Sequence, residues 1–279
     1  MAETKEKKTA TKKVAPKKTT TTKTSAEKKT TTAKKTTKKA DERSNAKRFI
    51  DAFNNIDYAL KARYNLNRAM GFSDLIRKSV VVNYIVRKYE DVLVDYGRLR
   101  NAIVHSSTDD FVIAQPHDDV VANIEHIERL LTTPPKALDT VGHRDVLVTY
   151  AGHSMAEVIC LMAKANYSNI PVYKGNELIG IANGQKIIDS MGHFLIAGGK
   201  PQVFMENVQI EDMLSSIENS QYYEVMKADC TVEEVLDAFN KNRKLMAILF
   251  TKNGLSNEMP VGIMTSADVV DAQKIIEQF

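Results

Sequence analysis

The chain has 279 residues, and its 39 basic and 35 acidic side chains give a net charge of +4. Residues 1–40 alone hold 14 lysines against three glutamates, so a basic tail precedes an acidic body of a size that forms one or two domains. The sequence shows neither an apolar run long enough for a membrane span nor a secretory signal, which predicts a cytoplasmic protein without membrane partners. Cys160 and Cys230 lie inside apolar patterns, which argues against both disulfides and a cysteine-ligated metal, and we expect no metal site.

Residues 1–44 form a Lys/Thr-rich tail that cannot bury enough apolar surface to fold, and we expect it to be disordered. Its charge favours sequence-independent binding to the phosphates of RNA or DNA, and hence nucleoid association. A purely solubilising role is the alternative hypothesis for this tail.

Residues 45–133 show helical periodicity, which predicts a three-helix bundle. The first helix spans about residues 46–66. The second is a long helix capped by Ser73 and reaching His105, and the third begins at a cap on Asp118 and ends before Pro134.

The long helix ends in the sequence Arg98-Leu-Arg-Asn-Ala-Ile-Val-His105. This ending resembles the HEPN superfamily of helical bundles, many of which are metal-independent endoribonucleases acting as homodimers. The resemblance assigns catalysis to Arg100, Asn101 and His105. A histidine can transfer protons near neutral pH, and an arginine can stabilise phosphate charge. The alternative is that His105 only stabilises the helix C-terminus and that Arg100 is solvated.

Residues 140–279 contain an internal repeat, with copies at about 140–190 (the first repeat) and 209–279 (the second repeat). Position 154 aligns with position 231 at an offset of 77, and Gly180 aligns with Gly262 at an offset of 82. Each copy is predicted to run as short strand, capped helix, strand, hairpin turn, strand and closing helix.

The sequence Gly-Ile-Met-Thr-Ser-Ala-Asp at 262–268 resembles a cystathionine-β-synthase (CBS) domain pair. The resemblance implies no cofactor but a bound ligand such as AMP, ATP or cyclic di-AMP. Thr265 and Asp268 would contact its ribose, since a carboxylate can accept bonds from two hydroxyls. The backbone near Met226, Ala228 and Met246 would frame its base. The alternative is that Thr265 and Asp268 merely cap the closing helix.

The first repeat departs from this pattern, because Asn183 and Lys186 stand where the second repeat has Thr265 and Asp268. We expect Lys186 to approach a ligand phosphate rather than a ribose.

The sequence therefore predicts an α+β multidomain homodimer with a disordered basic tail, a three-helix bundle and an α/β CBS-pair module. The leading hypothesis is nucleotide sensing that modulates an RNA-directed or partner-binding HEPN-like domain. The others are a metal-independent endoribonuclease with the CBS pair as dimer scaffold, and a nucleic-acid-associated structural protein.

Overall fold

The computed structural model describes residues 44–105, 114–215 and 220–279. Most of the predicted tail, residues 1–43, lies outside this part, and so do residues 106–113 and the side chain of His105. Among the described residues, no helix combines the length and the apolarity that crossing a membrane requires.

The helical region contains more and shorter helices than the sequence predicts. They are α1 (Asn45–Arg63), α2 (Phe72–Ser79), α3 (Tyr84–Lys88), α4 (Glu90–His105) and α5 (Asp118–Thr132).

The prediction of one long helix from Ser73 to His105 is wrong, because the chain breaks twice. The side chain of Asn83 accepts a bond from the Val86 amide at 2.8 Å and starts α3. Three consecutive valines precede Asn83, and β-branched residues favour helices poorly. At Tyr89 the backbone leaves helical geometry again, with φ −112° and ψ 20°.

Two predicted helix caps are also wrong. Gly71 rather than Ser73 precedes α2, and His117 rather than Asp118 precedes α5, in both cases without a capping side chain. The Asp118 carboxylate instead accepts a bond from the Asn45 side chain at 2.6 Å, which joins the first turns of α1 and α5.

The apolar stripe predicted for α1 forms the core of the bundle. Its large members are 5% exposed or less and pack between α4 and α5: Phe49, Phe53, Ile56 and Leu60. Phe49 meets Tyr96 of α4 edge-on, with ring centroids 5.4 Å apart. Full burial of such side chains contributes about 1.5–3 kcal/mol each, so this stripe holds the bundle together.

The two repeats form two three-stranded sheets with the same topology, and the predicted order of elements is observed. In each sheet the first strand pairs parallel with the second, and the second pairs antiparallel with the third. The strands are β1 (Thr149–Tyr150), β2 (Asn169–Lys174), β3 (Glu177–Asn183), β4 (Tyr223–Lys227), β5 (Ala247–Thr251) and β6 (Gly262–Thr265).

The helices of the repeats begin in matching ways. Reciprocal capping boxes, Ser154 with Glu157 and Thr231 with Glu234, start the first helix of each copy. The remaining helices are α6 (Ala137–Thr140), α7 (Met155–Ala165), α8 (Gly184–Ile196), α9 (Pro201–Asn207), α10 (Ile210–Ser215), α11 (Val232–Lys241) and α12 (Val269–Gln278).

The bundle packs against the helices of the second repeat, and ion pairs accompany that contact. Arg63 bonds to Glu233 at 2.9 Å, and Arg87 bonds to Asp237 at 2.8 Å. Glu233 is only 2% exposed. Burial raises the pKa of the Glu233 carboxyl, and the Arg63 guanidinium opposes that rise.

We predict that Arg63→Ala lowers the free energy of unfolding by about 2–4 kcal/mol at pH 7, because a buried carboxylate loses its cation. Without Arg63 the pKa of Glu233 rises further, so the folded variant holds a proton to a higher pH than the unfolded chain. Its stability should therefore fall as pH rises above the unfolded value of about 4.3, and the loss should shrink below it. Urea unfolding across this pH range measures the effect.

The matched control is Arg77→Ala, which removes a cation paired with Asp74 where both side chains are more than half exposed. Exposed pairs contribute about 0–1 kcal/mol, so this variant should stay near wild type. Equal losses in the two variants would contradict a special role for the buried pair.

Candidate functional site

A cavity of about 340 Å³ lies between the two repeats. Its walls come from the segment before β1, the α7–β2 loop and the turn between β6 and α12. The polar lining residues are His143, Asp145, Asn166, Tyr167, Ser168, Asn169, Thr265, Ser266 and Asp268. Both residues assigned to ribose contact therefore line one cavity, together with residues of the first repeat.

Thr265 and Asp268 form a reciprocal cap at the turn that follows β6. The Thr265 amide donates to the Asp268 carboxylate at 2.7 Å, and the Thr265 hydroxyl donates to the same oxygen, Oδ2, at 2.8 Å. The pair caps the 3-10 turn at residues 266–268, whereas Asp268 makes no side-chain capping bond to α12 itself. These two bonds occupy only one carboxylate oxygen, which leaves Oδ1 for other contacts.

His143 is one of the site residues that the sequence analysis missed. Its ring nitrogen Nε2 lies 3.1 Å from Asp268 Oδ1, although the two residues are 125 positions apart. Paired backbone bonds of 2.8 Å between His143 and Ile263 hold it there. No local pattern marks this histidine, because the antiparallel bridge to Ile263 forms only in the folded chain.

Asp268 is held as a carboxylate. Burial by itself raises its pKa, but hydrogen bonds from the Thr265 amide, the His143 ring and the Thr265 hydroxyl together lower the pKa below the ordinary value. The site therefore presents a negative acceptor whose Oδ1 is covered by a histidine side chain that is 61% exposed. A ligand with hydroxyl donors can replace an exposed side chain at that oxygen.

The α7–β2 loop makes the opposite wall. Asn166 adopts the left-handed conformation, with φ 56° and ψ 39°, and ends α7 there. The next residue, Tyr167, is 47% exposed and offers an aromatic surface at the cavity.

The structure does not bring the predicted base-framing residues into this cavity wall. Met226 lines a different cavity, of about 850 Å³, between the bundle and the second repeat. The Ala228 amide donates to Thr251 at 2.8 Å at the end of β4. The Met246 carbonyl accepts a hydrogen bond from the Ser266 amide at 3.1 Å, and Met246 is not among the residues that line the cavity.

Lys186, on α8, lies against the second repeat at the position equivalent to Asp268. Its ammonium is 5.2 Å from the centre of the Tyr222 ring, and its amide donates to the Asn183 side chain at 3.1 Å. Nearby, the Lys244 ammonium bonds to the Gln221 side chain at 2.9 Å. In the first repeat, the position equivalent to the Thr265–Asp268 site is therefore filled by contacts between the protein's own side chains, such as Lys186 with Tyr222.

Arg100 and Asn101 line a cavity of about 560 Å³ in the bundle. Their side chains are 3.4 Å apart, from Arg100 Nη1 to Asn101 Oδ1. The Nε atom of Arg100 is buried and has no hydrogen-bond partner in the part of the chain that the structure describes. His105 ends α4 on the same helix, but its side chain lies outside the described part.

Comparison with known proteins finds similarity in the repeat region of the chain. Residues 138–192 match the family model of the CBS domain. The match covers the first repeat, from α6 into α8. A search of curated proteins found no significant match.

Three solved structures illustrate the similarity. CBSX2 in complex with AMP is 16% identical, with a TM-score of 0.38, over 51% of this chain and 98% of its own. The CBS domain of a bacterial CNNM/CorC family Mg²⁺ transporter in complex with ATP is 15% identical, with a TM-score of 0.39, over 53% and 92%. A CBS-domain-containing protein from Agrobacterium tumefaciens is 14% identical, with a TM-score of 0.35, over 47% and 90%.

We predict that His143→Ala raises the pKa of Asp268, because the carboxylate loses one of the bonds that stabilise its charged form. A lowered pKa adds stability above the unfolded value, and that stability is lost as pH falls through the folded value. His143→Ala should therefore lose the part of this folding stability that comes from the His143 bond to Asp268. Carboxyl carbon NMR through an acid titration measures the pKa directly. His117→Ala, at an exposed position before α5, is the control, and an unchanged Asp268 pKa in His143→Ala would refute the contact.

Proposed function

We propose that the CBS module senses an adenine nucleotide in the cavity that contains Thr265 and Asp268. The observation that carries this proposal is the Asp268 carboxylate, which is charged, lines a cavity between the repeats, and has Oδ1 covered only by His143 among the described residues.

The chemistry of the cavity suits a nucleoside. A ribose carries neighbouring hydroxyls, which can donate to Oδ1 once His143 turns away, while Oδ2 keeps its bonds from Thr265. An exposed Tyr167 offers a face for a planar base, and aromatic stacking adds about 0.5–1.5 kcal/mol beyond burial.

A short connector, residues 133–143, joins the helical bundle to the site. Ligand binding at the site can therefore be transmitted along this connector to the bundle. The chain leaves α5, forms α6 and reaches His143 at the cavity within about ten residues. Nucleotide binding that displaces the His143 side chain acts at the end of this connector. We propose that the bound state thereby modulates RNA-directed or partner binding by the bundle.

Asp268→Ala should weaken nucleotide binding about tenfold to a hundredfold, the loss expected for a hydrogen bond to a charged group of about 1.5–3 kcal/mol. Calorimetry with AMP, ATP and cyclic di-AMP measures the affinity. Asp268→Asn separates the two roles of the residue, because asparagine can still cap a helix but carries no charge.

Asp271→Ala is the matched control, since it removes an exposed carboxylate from α12 that pairs with Lys274. Its affinity should equal that of the wild type. Failure of the wild-type protein to bind any of the three nucleotides would overturn the sensing proposal.

A second candidate function is RNA cleavage by the bundle. It is favoured by the buried Nε of Arg100, which lies at a cavity and has no hydrogen-bond partner among the described residues. In this reaction the 2′-hydroxyl of RNA attacks the adjacent phosphorus while a base removes its proton, and the 5′-oxygen leaves with a proton. Arg100 would stabilise the phosphate charge, Asn101 would orient Arg100, and His105 would transfer the proton. The basic tail would add non-specific affinity for RNA or DNA through the charge of +11 on residues 1–40.

Arg100→Ala and His105→Ala should each abolish cleavage of RNA in the presence of EDTA, with a loss of about 10²–10⁴-fold for the proton-transfer group. Arg98→Ala is the control, because Arg98 is exposed and paired with Asp95 at 2.7 Å. Products should carry 2′,3′-cyclic phosphates. Cleavage that survives the Arg100→Ala, His105→Ala double substitution would exclude this site.

A further inference from the structure

A cavity of about 590 Å³, here called the junction cavity, lies where the bundle meets the second repeat. The end of α3, the end of α11, the turn after α11 and one side of α12 line it. Three of its lining residues are basic, namely Arg87, Lys88 and Arg243, and one is acidic, namely Glu277. The junction cavity shares no lining residue with the cavity that contains Asp268.

The carboxylates at this junction are too few to balance its cations. Asp237 bonds to Arg87 through Oδ1 and to Lys241 through Oδ2, so one carboxylate serves two cations. Glu277 pairs with Lys88 at 3.0 Å, but the Glu277 side chain is 61% exposed. Exposed ion pairs are weak, so another anion can replace such a partner.

Arg243 adds a cation that no carboxylate balances. It is exposed, and its side chain makes no hydrogen bond or ion pair with any residue that the structure describes. The side-chain amides of Asn240 and Gln273 line the same cavity and likewise have no partner in the described part of the chain. This positive charge lies in an acidic body, because residues 41–279 hold 25 basic against 32 acidic side chains. A concave site with unbalanced cations and free amide donors suits an anion.

Stabilisation of helix ends explains only part of this charge. Arg87 and Lys88 lie in the last turn of α3, and Lys241 lies in the last turn of α11, where cations are favourable. Arg243 lies beyond the end of α11, and its side chain donates to none of the carbonyls described there. Its position in the junction cavity therefore points to a different role.

We propose that the junction cavity binds phosphate groups, which Arg243 and Lys88 contact directly. The planar guanidinium of Arg243 can donate to two oxygens of one phosphate, and the Lys88 ammonium can bond to the same group once Glu277 turns to solvent. Asn240 and Gln273 can donate further hydrogen bonds through their amides. Small-molecule sites have volumes of about 300–1,000 Å³, so a cavity of this size can hold several linked phosphates.

A bound phosphate would link the bundle to the second repeat. Lys88 belongs to α3 of the bundle, whereas Arg243 follows α11 of the second repeat. A ligand that needs both side chains binds only when the two parts are packed together, so it stabilises the folded chain in proportion to its affinity. This role goes beyond nucleotide sensing and does not depend on it.

The first test uses tripolyphosphate, which carries linked phosphates but no nucleoside. The thermal unfolding midpoint of the full chain at low salt should rise with tripolyphosphate concentration, and that dependence gives the affinity. Arg243→Gln should weaken the affinity about fivefold to tenfold, because a charged donor to the phosphate is lost. Lys174→Gln is the matched control, since it removes the same charge from an exposed residue of the first repeat that pairs with Glu211. Its affinity should equal that of the wild type.

The second test predicts a change in the opposite direction. Glu277→Gln removes the carboxylate that competes for Lys88, so tripolyphosphate should bind about twofold to fivefold more tightly. Asp271→Asn makes the same change of charge at an exposed residue of the same helix, where the partner is Lys274, and should have no effect. No rise of the midpoint in the wild type, equal affinities in Arg243→Gln and Lys174→Gln, or equal affinities in Glu277→Gln and Asp271→Asn would overturn the proposal.

A parallel titration with a short single-stranded RNA identifies the source of the phosphates. A smaller midpoint shift in Arg243→Gln than in Lys174→Gln with both probes supports a nucleic-acid backbone as the ligand. The same difference with tripolyphosphate alone supports a small phosphorylated compound. Neither probe contains an adenine nucleotide if the RNA is oligouridine, so the result is independent of the outcome at Asp268.

Discussion

The burial of Glu233 against Arg63 is the constraint on which the arrangement of this protein depends. A carboxylate that is 2% exposed is unfavourable unless a cation stays beside it, so α1 of the bundle must lie against α11. The Arg87–Asp237 pair fixes α3 against the same helix. Such pairs require defined distances and directions between the charged groups. They therefore determine which of the two similar repeats packs against the bundle.

The packing of the bundle against one repeat makes the two repeats of the module structurally different. Both repeats share strand order, capping boxes and hairpin turns, yet the apolar core of the bundle continues into the second repeat, while the first repeat has a separate core with α9. The two clefts between the repeats differ as well. In one, Asp268 faces a cavity, whereas in the other Lys186 lies over the Tyr222 ring. A carboxylate accepts hydrogen bonds and an ammonium only donates them, so the clefts cannot bind the same group in the same way.

The proposed site and the groove between α7 and α8 share one structural element. Asn166, Tyr167 and Ser168 of the α7–β2 loop line both the cavity at Asp268 and the groove between α7 and α8. The connector from the bundle enters the same cavity at His143. A ligand in this cavity would therefore contact both the end of the segment that leads from the bundle and the loop beside the groove between α7 and α8.

The sequence by itself determined the features that depend on local spacing: the apolar stripe of α1, the repeat with its capped helices, and the Thr265–Asp268 pair three residues apart. It did not determine the breaks at Asn83 and Tyr89, because apolar periodicity continues across them while a side-chain cap and local geometry end the helices. Contacts between distant positions needed the tertiary structure. His143 reaches Asp268 only through the backbone bridge to Ile263, and Arg63 reaches Glu233 across 170 positions. The repeat pattern predicted the same order of elements for both copies, and only the tertiary structure showed that the bundle packs against the second copy.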